Sequence, residues 1–168
     1  LSGKWMFTAE NYFVKSVNAE KLPEEVISFG DSYLDGLQAG TYPVLLCPDE
    51  FSTTLRQKYL NVALIYSREQ YVLDLFKYRG REAEASERIA LHDFVSGGDF
   101  DEASVSALLD KYEVDDVIIG KGNAAACALL EKNQWTGTDL SDAFTVYLRP
   151  ASSTRPARKS SDFGQPAP

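Results

Sequence analysis

The feature that most limits what this chain can become is a series of short, unbroken apolar runs, each followed by a stretch of helical periodicity. Val44-Leu45-Leu46-Cys47 is the first run, Val62 to Tyr66 the second and Val114 to Ile119 the third. A run without polar alternation suits a strand covered on both faces, as in a parallel sheet held between helices. The intervening stretches supply those helices. Pro23 is expected to open one where its missing N–H costs nothing, with Glu24 and Glu25 favourable in the first turn. Val26, Ile27, Gly30, Tyr33, Leu34 and Leu37 then recur on one stripe, and Gly40 is a plausible terminator. Pro48-Asp49-Glu50 opens a second helix through Tyr59, with Phe51, Leu55 and Tyr59 inward. Ser67 and Gln70 read as a capping box for a third, which turns Val72, Leu75 and Phe76 inward.

Further along, Arg79 to Glu87 is charged and Ala-rich with no inward stripe, and reads as a solvated helix or an excursion before Ile89 to Val95 rejoins the body. After Gly97-Gly98, Asp99 or Asp101 is placed to cap a helix carrying Val105, Leu108, Leu109 and Tyr112. Gly120-Lys121-Gly122-Asn123 turns into a helix through Lys132. Trp135 to Leu140 and Phe144 to Leu148 form an antiparallel hairpin through Ser141-Asp142. The expected architecture is a three-layer α/β sandwich around a mainly parallel, Rossmann-like sheet, with the hairpin as an antiparallel edge. Residues 1–21 read as an apolar lead-in, 22–149 as a single α/β domain, and the Pro- and Ser-rich 150–168 as a disordered tail.

Charge and cysteine usage narrow the function classes. The 168 residues carry a formal net charge of −8, a field that disfavours polyanionic partners such as nucleic acid. No segment approaches the length of apolar chain that spans a bilayer. Cys47 and Cys127 make neither a disulfide framework nor a thiolate metal site, and are expected as two buried thiols. The start at Leu1, with no initiator Met and no signal-like segment, points to a piece of a longer protein.

In open α/β sheets ligands gather beyond the carboxyl ends of the strands. Three loops fall there: 47–50, 66–69 and 120–123. The last joins permissive glycines, a helix N-terminus and the cation of Lys121, which together suit a phosphate or carboxylate. It lacks both the third glycine of a dinucleotide fingerprint and the Gly-Lys-Ser/Thr of a P-loop, and a tight turn with Asn123 as N-cap is the plainer reading of it. Asp49, Glu50, Arg68 and Glu69 can converge for acid–base work, or the acids can simply cap their helices. Asp49, Ser67, Arg68, Lys121 and Asn123 are thus the candidate ligand-binding residues. No catalytic residue, metal ligand or cofactor is assigned. His92, the single histidine, reads as a surface or half-buried residue, since no nucleophile motif lies near it. Asp115-Asp116 reads as solvated at the far end of a strand. The aromatics Trp5, Tyr12, Phe13, Tyr71, Phe76 and Tyr78 are either core or an exposed docking face.

The order of segments carries a resemblance. It runs from Lys21-Leu22-Pro23-Glu24-Glu25-Val26-Ile27 through Val44-Leu45-Leu46-Cys47-Pro48-Asp49-Glu50, Leu55-Arg56-Gln57 and Ala63-Leu64-Ile65-Tyr66-Ser67-Arg68. It ends with Val114-Asp115-Asp116-Val117-Ile118-Ile119-Gly120 and Phe144-Thr145-Val146-Tyr147-Leu148-Arg149. This pattern, from about Asn11 to Arg149, resembles the soluble C-terminal domain of bacterial multi-spanning membrane proteins related to the GT-C glycosyltransferases. The resemblance implies lipid-linked sugar transfer by the parent protein and a position on the extracytoplasmic face of the membrane. It also implies catalytic acids in a membrane-body loop that this chain does not contain. The domain itself would be a non-catalytic accessory, docking on the membrane-embedded part of its own chain or shaping access for an acceptor, with a glycan or lipid-linked sugar as partner. Two other readings stand beside it: a small cytosolic domain that binds an anionic ligand at 120–123, and a protein-interaction module.

Overall fold

The computed structural model describes residues 24–34, 42–58, 62–67, 72–74, 77 and 80–150. The chain runs α1 (Glu24–Leu34), β1 (Val44–Leu46), α2 (Asp49–Lys58), β2 (Ala63–Leu64), α3 (Glu82–Ser96), α4 (Glu102–Lys111), β3 (Asp116–Gly120), α5 (Ala124–Lys132), β4 (Thr136–Asp139) and β5 (Phe144–Leu148). The five strands form one sheet in the order β2-β1-β3-β5-β4, and its α/β class is the expected one. Strands β1 and β2, and β1 and β3, pair in parallel, whereas β5 pairs antiparallel with both β3 and β4. Only β5 is therefore reversed. The hairpin forms one edge of the sheet, as expected, with β5 inserted between β3 and β4.

Successive strand residues serve opposite faces, and the side chains sort accordingly. Leu45, Cys47, Ile118, Val146 and Leu148 join Val26, Phe29, Phe51 and Leu55 in a core under α1 and α2. Leu46, Val117, Ile119 and Tyr147 turn the other way, into a larger core with Leu91, Phe94, Leu109 and Leu130 from α3, α4 and α5. Helices thus cover both faces, which is why these strands needed no polar alternation. Phe51 sits edge-on to both Phe29 and Phe144, with ring centroids 6.1 and 4.9 Å away, and so joins α1, α2 and β5.

Several expectations change. The second strand shrinks to Ala63–Leu64, with the Ile65 amide still donating to the Leu45 carbonyl at 3.1 Å and both Ile65 and Tyr66 buried. The third begins at Asp116, which is fully buried rather than solvated, and Asp115 accepts a 2.8 Å hydrogen bond from the Val44 amide. Of the two readings of 79–87 the helix is the one present, for the most part as the first half of α3, continuous with the segment that was expected to rejoin the body. Its inward contact is the small Ala85, and the rest is held by polar links. Glu87 accepts from Lys111 at 2.6 Å and from the Tyr112 hydroxyl at 2.6 Å, while Arg88 donates to the Ile65 carbonyl at 2.7 Å. The expected lead-in, the tail, Leu37, Gly40, Tyr59, Gln70, Leu75 and Phe76 lie outside the described residues.

In the hairpin, Leu140 donates to the Phe144 carbonyl, so even-numbered residues of β4 and β5 bond one another. Lys121 donates to the Ala143 carbonyl and Arg149 to that of Asp115, so the odd-numbered residues of β5 bond β3. The main-chain groups of Gly137 and Asp139 consequently face away from the sheet.

Candidate functional site

Beyond the carboxyl ends of β1 and β3 the loops part around a cleft of about 720 Å³. Its floor is Pro48 and Gly120, the residues at which the two strands turn into α2 and α5. Asp49 and Glu50 form one wall, at the start of α2, where carboxylates oppose the positive end of the helix dipole. The opposite wall is the start of α5. Asn123 caps that helix by accepting from the Ala126 amide at 3.2 Å, and it donates to the Phe94 carbonyl at 2.8 Å, which fixes α5 against α3. Ala124 and Ala125 also line the cleft, and the first turn of α5 carries no acid, so its dipole is not offset.

The third wall is the last turn of α3, ended by Gly97 in the left-handed conformation, φ 86°. It brings His92 and Ser96 into the cleft. The His92 ring stacks on Tyr66, centroids 3.9 Å apart, and its Nε2 lies 3.3 Å from Asp49 Oδ1 and 3.2 Å from Ser96 Oγ. Asp93 Oδ1 stands 3.8 Å from Nδ1. One nitrogen therefore faces both the carboxylate and the hydroxyl. A proton on Nε2 that bonds to Asp49 removes the lone pair that would activate Ser96 as a nucleophile. Below the floor, burial and then the carboxylates of Asp49 and Glu50 push the Cys47 thiol far above its usual range, so it stays protonated. Among the described residues no group of three His, Cys, Asp or Glu side chains is placed to hold a metal ion.

Of the sequence candidates, the structure brings together Asp49 and Asn123. Lys121 does not line the cleft; its ammonium pairs with Asp139 at 3.1 Å. Ser67 also lies outside the lining, accepting from the Arg56 guanidinium at 2.7 Å and giving its carbonyl to Ser52. Arg68 and Glu69 fall outside the described residues. His92 and Ser96 were not among the candidates. Their helical spacing was visible in the sequence, but the partners that give it meaning, Asp49 and Tyr66, are distant in the chain.

No family model, no curated protein and no solved structure matches this chain.

Proposed function

We propose that this chain is a non-catalytic accessory domain of a membrane protein resembling the GT-C glycosyltransferases, at the extracytoplasmic face, and that its cleft holds a hydroxyl-rich group of the acceptor or lipid-linked sugar. The observation that carries the reading is the mixed lining of the cleft. Asp49 and Glu50 offer acceptors, the main chain at the start of α5 offers donors, and His92 and Ser96 offer both. A neutral polyol uses all three kinds of group. A polyanion would meet two carboxylates, and the expected cation, Lys121, is already committed to Asp139. Sharing of His92 Nε2 between Asp49 and Ser96 favours holding a ligand over attacking one.

Ligand-observed NMR with neutral mono- and disaccharides beside their phosphates tests this. The expected result is binding of neutral sugars that weakens at least tenfold in Asp49→Asn or Glu50→Gln, with no product formed. Sugar phosphates binding tenfold tighter than their neutral partners would shift the site to the anion-binding alternative. Release of free sugar or phosphate by the domain alone would overturn the non-catalytic reading.

A further inference from the structure

Two glycines at the cleft have no explanation in the fold. A glycine is accounted for by the chain itself where φ is positive, or where another atom already occupies the place of a Cβ. Gly80 and Gly97 hold φ of 68° and 86°. A Cβ on Gly98 would stand 3.1 Å from the Asp93 Cβ, and one on Gly137 would stand 3.0 Å from Tyr147 Cε1. Neither reason covers Gly120 or Gly122. Their φ angles lie outside the left-handed region. A Cβ on Gly122 would have no atom within 4 Å, and one on half-buried Gly120 would meet Phe144 Cε1 at 3.8 Å, an ordinary contact. Gly120, Gly122 and Phe144 all line the cleft.

Glycine is the costly choice at such positions. It loses more chain freedom on folding than alanine, and at Gly120 it breaks off the run Val117-Ile118-Ile119, where a β-branched residue suits a strand better. What the fold does not gain, a ligand does, because main chain without Cβ atoms can be approached to contact distance. That main chain also has a group to offer. The Lys121 amide donates to the Ala143 carbonyl at 2.8 Å and the Asn123 amide to that of Gly120 at 2.9 Å, whereas the exposed Gly122 amide between them donates to none of the described residues. We infer, on the sugar-binding reading of the cleft, that Gly120 and Gly122 are kept bare for a ring of the ligand, which rests on the main chain there with one oxygen accepting from the Gly122 amide. The two walls then divide the ligand. Its hydroxyl hydrogens face Asp49 and Glu50, and an oxygen that needs no hydrogen of its own serves Gly122.

The test compares the full chain with its Gly120→Ala, Gly122→Ala and Gly122→Val variants. Thermal melts report the fold, and ligand-observed NMR reports binding of glucose, galactose, N-acetylglucosamine and maltose. Both alanine variants should melt at or above the wild-type temperature, since alanine at an unstrained glycine position stabilises through the unfolded chain. Binding should fall at least tenfold in all three variants, furthest in Gly122→Val. In proton–nitrogen correlation spectra of the wild type, the Gly122 amide should move as sugar is added. Alanine variants that both melt below wild type show that the fold needs these glycines, and overturn the inference. So do variants that bind as tightly as wild type, or a Gly122 amide that stays still while its cleft neighbours shift. In each of these cases sugar binding by the wild type still stands. A wild type that binds none of these sugars removes the reading of the cleft and this inference with it.

Discussion

The two flanks of β3 are built differently. On one side, β1 meets β3 and β2 through two registered residue pairs each. On the other, β5 meets β3 through five pairs and β4 through four. On the parallel flank β1 ends two residues before α2, and the turns that follow β1 and β3 form the cleft. The antiparallel flank, closed by a tight hairpin, has no such duty and extends its ladders instead. The difference separates work from scaffolding. Parallel strands deliver helix starts to one end of the sheet, and the antiparallel pair supplies cross-strand bonding at little cost in loop length.

The sharpest way to break this division is to remove the side chain that bridges it. Phe51 belongs to α2 on the parallel flank but packs on Phe144 of β5, and it is fully buried. Phe51→Ala should cost about 3–5 kcal/mol in chemical denaturation, the largest effect expected of any substitution here. Arg149 is the corresponding clamp on the antiparallel flank. Its guanidinium donates to the carbonyls of Val114 and Leu109, pairs with Asp110, and stacks on Trp135 at 5.3 Å. Arg149→Ala should cost about 1–3 kcal/mol, because the Val114 carbonyl loses the guanidinium and the Leu109 carbonyl keeps only the Val114 amide, and should leave ligand binding at the cleft unchanged.

Asn123→Ala sharpens the contrast further, since it should cost about 1–2 kcal/mol and also loosen the cleft wall. Asn123→Asp keeps the cap but loses the donation to Phe94. It should restore most of the stability and little of the binding, as read by thermal melts beside ligand titration. The smallest effect concerns acid. The hydrogen bond from Lys111, and then that from Tyr112, holds the Glu87 carboxyl below its ordinary value of 4.5. A lowered folded-state value means that the contribution is present above about 4.5 and is lost as pH falls through the folded value. Glu87→Gln should therefore flatten part of the acid limb of a stability–pH curve, by under about 1 kcal/mol for a pair this exposed.

What could be read from the sequence follows the range of the forces involved. The cap at Asn123, the inward Phe51 and Leu55, and the closing hairpin all rest on residues within a few positions of each other, and all are present. For 79–87 the solvated-helix alternative is the one present, but its continuity with Ile89 to Val95 was not legible, because its anchors are on another helix: Glu87 finds Lys111 and Tyr112, which no periodicity within 79–87 encodes. Asp116 looked like the twin of Asp115, but the pleat sends successive residues to opposite faces and buries the second. Lys121 carried the right charge in the right loop. It was claimed by Asp139 across the hairpin, a partner that sequence order does not place nearby. His92 was visible as a residue but not as a site, because its role depends on Asp49 and Tyr66 arriving from two other elements.

The insertion of β5 between β3 and β4 has a consequence for how the protein is made. Among the described strands, the last to leave the ribosome is the one that joins β4 to the rest of the sheet. Until Leu148 emerges, β3 has no strand on that flank and β4 no strand to pair with among the described residues, so this sheet cannot close before β5 has been made. A nascent chain stalled even a few residues short of the end of β5 would offer open strand edges to chaperones or to its neighbours on the same messenger.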